Sequence, residues 1–269
     1  MSNKVLKPKK ASLYQFTQKY SNNIDNCIEF FKSMKWPEGF SCDRCGCHKY
    51  YLVKRVGKTK TSYVLECSSC HKQHSLLSGT IFQSCKLDLY KLLLGIFLFF
   101  NENKGISAVE LCSILDVNYK TALLLESKCR ILMSLSNSDK LLNSLFYEAD
   151  VFNIGARSKN KAGRASEQQP ILGILSTDKE NNYPRFIKLR VITDYTGLSL
   201  KKNIEKCCVL SHDALLNTDG EKGFNTLNEE IQVKNEKISY EERDHRLLWL
   251  NIIIGNIKNN ITGIYHGIT

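Results

Sequence analysis

Two things are missing from this chain of 269 residues. No hydrophobic run is long enough to cross a bilayer: the longest, Leu92 to Phe100, falls well short of the roughly 20 apolar residues a spanning helix needs. No apolar stretch follows the lysine-rich N-terminus, so no secretory signal is visible. Both absences predict a soluble, intracellular protein. Acid is scarce in one half only. Residues 1–146 carry 21 Lys+Arg against 11 Asp+Glu, whereas residues 147–269 carry 17 against 16. The front half is therefore the expected polyanion-binding half, although a solvated basic surface would show the same excess. The eleven cysteines of an intracellular chain are expected to be reduced or metal-bound, not paired with one another.

The cysteines that stand out are Cys42-x-x-Cys45 and Cys67-x-x-Cys70, separated by 21 residues. Each pair flanks a two-residue knuckle that aims two thiolates at one point, and four thiolates at tetrahedral positions suit Zn²⁺. The segment between them, Lys49 to Leu65, reads as a hairpin, so residues 41–80 are expected to form a zinc ribbon. Its site would be structural, because four protein ligands leave no open position. Cys47, His48, His71 and His74 lie close by and could substitute for a ligand. The paired spacing favours the four named.

Before the ribbon, residues 1–40 form an N-terminal helical segment, with apolar residues at helical spacing from Leu13 to Lys35 and a break at Trp36-Pro37-Glu38-Gly39-Phe40. After it, residues 81–146 carry a buried helix over Leu87 to Phe100. A second helix follows from Ala108 to Leu115, with Ser107 as its cap and Glu110 at the capping-box position. A turn at Asp116 to Tyr119 leads into a third helix, Lys120 to Met133. Helix, short turn, helix is the helix-turn-helix pattern, and Lys120, Thr121, Lys128 and Arg130 would be its polar contacts to DNA. Two core helices with an ordinary connection would show the same periodicity. Residues 136–146 read as a linker.

Residues 147–269 change character to α/β. The first strand holds Tyr147-Glu148-Ala149-Asp150-Val151-Phe152-Asn153-Ile154-Gly155. A carboxylate in the middle of an apolar strand is costly unless its charge is compensated. A metal ion would do so, and so would a lysine. A polar segment follows with Arg157, Lys159, Lys161 and Arg164, either a DNA clamp or a solvated loop. Pro170 to Thr177 and Tyr183 to Thr193 read as strands, Leu198 to Val209 as a helix, Ala214 to Gly220 as a fourth strand, and Arg243 to Ile261 as a last helix. That order is the order of the ribonuclease-H-like fold. The expected class is α+β and multi-domain, with an N-terminal zinc ribbon and helix-turn-helix and a C-terminal ribonuclease-H-like α/β domain.

Along nearly its whole length the chain also resembles a family, the zinc-ribbon, DDE-type insertion-sequence transposases (ISXO2-like, bacterial relatives of the Merlin elements). The resemblance is carried by Trp36-Pro-Glu-Gly-Phe40, both cysteine pairs, Gly79-Thr-Ile-Phe82 and the segment from Ile106-Ser107 to Arg130. Further on it is carried by Glu148-Ala-Asp150, Asn217-Thr-Asp219-Gly220, Trp249-Leu-Asn251, Lys258 and Gly263-x-Tyr265-His266-Gly267. It implies that Asp150 and Asp219 are the first two ligands of a site for two Mg²⁺ or Mn²⁺ ions. Asn251 stands where many relatives carry Glu, and one branch pairs that Asn with a Lys seven residues on, here Lys258. Glu241, Glu242 and Asp244 are upstream alternatives for the third ligand. Leu248 replaces a His common in that branch. The chain ends at Thr269, a few residues after His266-Gly267, where relatives continue, which predicts a shortened copy.

The resemblance implies a transposase that binds terminal inverted repeats and cuts and joins DNA strands. Its partners would be the double-stranded DNA of the element ends and target. It would act as a homo-oligomer in the synaptic complex, in a bacterial cytoplasm beside the nucleoid. An inactive, truncated descendant that still binds DNA is the alternative. A nuclease acting on RNA is disfavoured, because a recognition helix fits the major groove of B-form DNA and not that of A-form RNA.

Overall fold

The computed structural model describes residues 12–57, 61–102, 105–138, 141–155, 168–178, 183–235 and 247–265. The chain divides into two compact units, one ending at Ser134 and one beginning at Leu135. No helix among the described residues is long and apolar enough to cross a membrane.

In the first unit, helices α1 (Leu13–Tyr20) and α2 (Ile24–Lys35) precede a three-stranded antiparallel sheet. Its strands are β1 (Tyr50–Val56), β2 (Thr61–Cys67) and β3 (Gln73–Ser75), in that order. Then come α3 (Leu89–Asn101), α4 (Ala108–Leu115) and α5 (Tyr119–Ser138). The helix starts are written locally. Asn23, Asp88 and Ser107 each accept a hydrogen bond from the backbone N–H three residues on, filling donors that a helix end leaves free. At α4 the capping box closes as expected, with Glu110 reaching back to the Ser107 N–H at 3.3 Å. Asp116 ends α4 in the left-handed conformation, φ 49°, and Asn118 then caps α5 by accepting from Thr121 N at 2.8 Å. The core runs from Cys27 and Phe31 through Leu65 and Leu92 to Leu111, Leu115 and Leu125. Gly95 lets α3 approach closely: a Cβ there would sit 2.5 Å from a Leu125 methyl.

The second unit is a five-stranded sheet of order β6-β5-β4-β7-β8. β4 (Phe146–Ile154), β5 (Gln169–Thr177) and β6 (Pro184–Val191) form an antiparallel meander. β7 (Leu215–Thr218) lies parallel to β4, and β8 (Gln232–Asn235) parallel to β7. Helix α6 (Gly197–Glu205) and a 3-10 turn at Lys222–Leu227 cover one face with Tyr147, Ala149, Leu172, Leu200 and Phe224. Helix α7 (Leu248–Tyr265) covers the other with Phe152, Leu175, Leu250 and Ile254. This is a ribonuclease-H-like arrangement.

Three details depart from the sequence reading. β3 and β8 are extra strands. The helix expected to reach Val209 stops at Glu205, because Cys207 and Val209 turn aside to pair with Leu142: Leu142 N donates to Cys207 O at 2.7 Å and Val209 N to Leu142 O at 2.8 Å. For the same reason the segment read as a linker is partly built into the second unit, with Leu142 only 4% exposed.

Candidate metal centres

The first centre is built from two knuckles with one backbone pattern. Cys42 N donates to Cys47 O, and Gly46 N to Cys42 O. Twenty-five residues later Cys67 N donates to Lys72 O, and His71 N to Cys67 O. The residue after each second cysteine, Gly46 and His71, has positive φ, at 70° and 57°. That turn swings the two thiols of each pair to the same side. All four Sγ atoms, of Cys42, Cys45, Cys67 and Cys70, lie within 4.8 Å of one another. Cys42 and Cys70 are 3.6 Å apart, and Cys45 and Cys67 are 3.5 Å apart. A tetrahedron with Zn–S of about 2.3 Å has edges of about 3.8 Å, so the cluster fits zinc almost without adjustment.

The thiols of the cluster do not shift alike: Cys42 moves down, Cys45 and Cys67 move up. Burial would raise the Cys42 pKa, but the Arg44 and Cys45 backbone N–H groups, with His74 and Cys70, bring it down to about 6. Cys42 is thus set to be a thiolate at neutral pH. Beneath the cluster His74 is 7% exposed, packed edge-on against Phe40 and Trp36, with Nδ1 3.8 Å from Asp43. A nitrogen of its ring, with Cys42 and Asp43, makes a second close group. Cys47 bonds instead to Ser68 Oγ, and His48 Nδ1 to Phe40 O.

The second centre lies on the β4 face covered by α7. Side chains alternate along a strand, so Glu148, Asp150 and Phe152 share that face. β4 pairs with β7 in parallel register, Glu148 opposite Asn217. Two residues further, the same register brings Asp150 beside Asp219, in the turn that Gly220 makes at φ 96°. Burial first, and then the Asp219 carboxylate, push the Asp150 carboxyl up to about 7, against the pull of the Lys258 ammonium and of the Val151 N–H at 2.7 Å. The structure therefore gathers Asp150, Asp219 and Lys258 into one electrostatic neighbourhood. Lys258 Nζ lies 5.6 Å from the centre of the Phe152 ring. Asn251 is exposed on α7, its N–H bonded to Leu247 O, two turns before Lys258.

Sequence reasoning passed over Glu148, Gly173 and Asn235. Glu148 is 4% exposed and accepts from Leu250 N at 2.9 Å. Burial pushes its carboxyl up to about 7, with the Leu250 N–H pulling the other way. Gly173, opposite Asp150, makes room for α7: a Cβ there would lie 3.3 Å from Leu250 Cδ1. Asn235 on β8 accepts from Thr218 Oγ1 at 2.7 Å and donates to Glu221 O at 2.8 Å, bracing both sides of Asp219. The visible signal was for Glu148 alone, a second carboxylate two residues from Asp150 in an apolar strand.

The residues expected to touch DNA are placed unevenly. Lys120 is exposed on α5. Thr121 turns its hydroxyl back to Asn118 Oδ1, Lys128 Nζ donates to Gln83 O at 3.1 Å, and Arg130 pairs at 3.5 Å with Glu126, itself 1% exposed. Around them α5 exposes Leu124, Ile131, Met133 and Leu135. Arg157, Lys159, Lys161 and Arg164, like Glu241, Glu242 and Asp244, lie outside the described residues.

Comparison with known proteins adds two matches. Residues 23–73 are similar to a transposase zinc-ribbon domain of the IS1595 type. Residues 146–269 are similar to an ISXO2-like transposase domain. No curated protein matches the chain.

Proposed function

We propose that this chain, which belongs to the zinc-ribbon transposases of the IS1595 family, binds the terminal inverted repeats of an insertion sequence and carries out metal-dependent strand cleavage and transfer. The observation that carries the reading is the meeting of Asp150 and Asp219, with the Asp150 carboxyl pushed up to about 7 by burial and then by the Asp219 carboxylate. Two carboxylates and an amide carbonyl, from Asp150, Asp219 and Asn251, form a hard oxygen donor set suited to Mg²⁺ or Mn²⁺. Two such ions would stabilise the attacking and leaving oxygens of in-line displacement at phosphorus.

The protein's own contribution is to hold and shape. Asp150 is fixed on a central strand and Asp219 on the turn after its parallel neighbour, so the sheet sets their separation. Lys258, close enough to lower the Asp150 pKa, would pair with a DNA phosphate beside the scissile bond. Asn251 brings an oxygen without charge, which leaves DNA phosphates to complete charge balance. The four ribbon thiolates would hold Zn²⁺ and contribute about 10–16 kcal/mol to folding that module. Of the helix-turn-helix residues, Lys120 and Arg130 are exposed and within reach of a phosphate, Arg130 beside Glu126; Thr121 bonds back to Asn118 and Lys128 to the Gln83 carbonyl.

The test is cleavage and joining of a labelled duplex carrying the element's ends, with Mg²⁺ or Mn²⁺, comparing the intact chain with Asp150→Ala. Metal-dependent products that vanish in the variant support the reading. End binding without products in the unaltered chain moves it to a DNA-binding descendant.

A further inference from the structure

Among the described residues, the position just before helix α7 offers no capping side chain. The helix begins at Leu248, and the residue before it, Leu247, has no acceptor to offer. The first N–H groups of any helix need partners from outside the helix. One of them is met by a residue 102 positions upstream: Leu250 N–H donates to Glu148 Oε2 at 2.9 Å, out of reach of solvent. Burying a carboxylate is costly, and an apolar side chain would fill this space without that cost. It would leave the buried Leu250 N–H unpaired, however, and would lose the favourable meeting of a negative group with the positive end of a helix.

We propose that Glu148 is the positioning residue of the Asp150 site, clamping the N-terminus of α7 to β4 so that Asn251 and Lys258 stand in register with Asp150 and Asp219. The peptide it holds belongs to Leu250, the residue next to Asn251, so the clamp fixes the backbone that carries the neutral oxygen donor. The strand that holds the clamp also holds Asp150 two residues on, about 7 Å along. One rigid strand therefore sets both the first carboxylate and the height of the helix that completes the site. Leu250 and Ile254, packed on Phe152 and Leu175, keep the rest of α7 on that line down to Lys258. The role of Asn251 as a ligand rests on the function proposed above, whereas the clamp does not.

The experiment uses the full zinc-loaded chain and its Glu148→Gln, Glu148→Ala and Glu148→Asp variants. Amide hydrogen exchange reads residues 249–252, and Mn²⁺ titration by EPR reads the site. Gln keeps an acceptor oxygen at the same reach, Ala removes it, and Asp keeps the charge but is one methylene short. Exchange at Leu250 is expected to quicken about fivefold or more in the Ala and Asp variants, as for loss of a helix cap, and to stay near the original in Gln. Mn²⁺ affinity should fall about 10–100-fold in Ala and Asp and by less than about threefold in Gln, as for loss of a supporting group behind a ligand. Unchanged exchange in Ala and Asp overturns the proposal. So does a loss of Mn²⁺ affinity in Gln as large as in Ala, which would make Glu148 a ligand. If Ala does not fold, the contrast between Gln and Asp decides. If the unaltered chain binds no Mn²⁺, the metal reading fails while the exchange data still judge the clamp.

Discussion

Metal binding at the Asp150–Asp219 pair is expected to be linked to a proton near neutral pH. An ordinary aspartate titrates near 4; Asp150 is pushed up to about 7, by burial and then by the charge of Asp219. A raised acid pKa means that between roughly pH 4 and 7 the folded, metal-free protein holds a proton that the unfolded chain has lost. The stability this proton brings is present at the acid end of that window and is lost as pH rises through it. Each unit corresponds to about 1.4 kcal/mol, so a three-unit shift has a ceiling of about 4 kcal/mol, reduced in practice by water entry and relaxation. An ion must displace the same proton. Apparent Mn²⁺ or Mg²⁺ affinity should therefore weaken about tenfold per pH unit below 7 and level off above it. Calorimetric titration in two buffers of different ionisation heat would count about one proton released at pH 6 and almost none at pH 8. A Glu148→Gln background removes the other carboxyl that titrates near 7. Asp219→Asn should move the break toward acid while weakening binding, because it removes the second cause of the shift. Affinity that is flat between pH 6 and 7 with no proton release, or a break that Asp219→Asn leaves in place, would mean that no proton at Asp150 is linked to metal binding.

Three further outcomes follow from the packing. Stripping Zn²⁺ with a chelator should unfold the β1–β3 ribbon, a coupling of about 10–16 kcal/mol, and Co²⁺ reconstitution should give tetrathiolate absorption bands; a ribbon that melts at the same temperature without metal would contradict this. Ser107→Ala should lower the stability of the first unit by about 1 kcal/mol, read as a shift in urea midpoint, because it removes the hydroxyl that accepts from Glu110 N while leaving the Ser107 N–H to the Glu110 carboxylate. Gly173→Ala should cost about 1–3 kcal/mol by pressing on Leu250 and Phe152, and exchange should quicken along α7 while β6 stays protected.

The parts of the molecule that were legible are those whose cause is local. Ser107 and Glu110 announce the start of α4 within four residues, and two Cys-x-x-Cys knuckles carry their geometry in their own spacing. Asp150 was conspicuous because a charge in an apolar strand violates its surroundings. Lost to the sequence were the features made by distant partners. β3 is Gln73–Ser75, and β8 is Gln232–Asn235 with alternately exposed residues; neither has an apolar run, and each exists because a neighbouring strand offers a ladder. Cys207 to Val209 continue the apolar spacing of α6, yet Leu142 claims their backbone. Lys128 reads as a cation for DNA, and only the fold shows the Gln83 carbonyl waiting for it; Glu126, one turn before Arg130, was by contrast open to reading.

The same distinction explains why the second centre is harder to read than the first. The cysteine cluster is assembled from two copies of one short turn, so its thiols can be counted off the chain. The Asp150 site is assembled across the sheet. Asp150 depends on β7 for its partner, Asp219 depends on Asn235 of β8 to brace its turn, and Asn251 depends on Glu148 to anchor its helix. None of these supports is adjacent in sequence to the group it serves. A substitution at Asn235 is therefore expected to act on Asp219 without touching it: Asn235→Ala removes the bonds to both Thr218 and Glu221, freeing the turn at each end. The expected result is weaker Mn²⁺ binding by roughly tenfold, with the Asp150 strand still protected from exchange. Equal affinity in that variant would mean that Gly220 and the β7 ladder hold the turn by themselves.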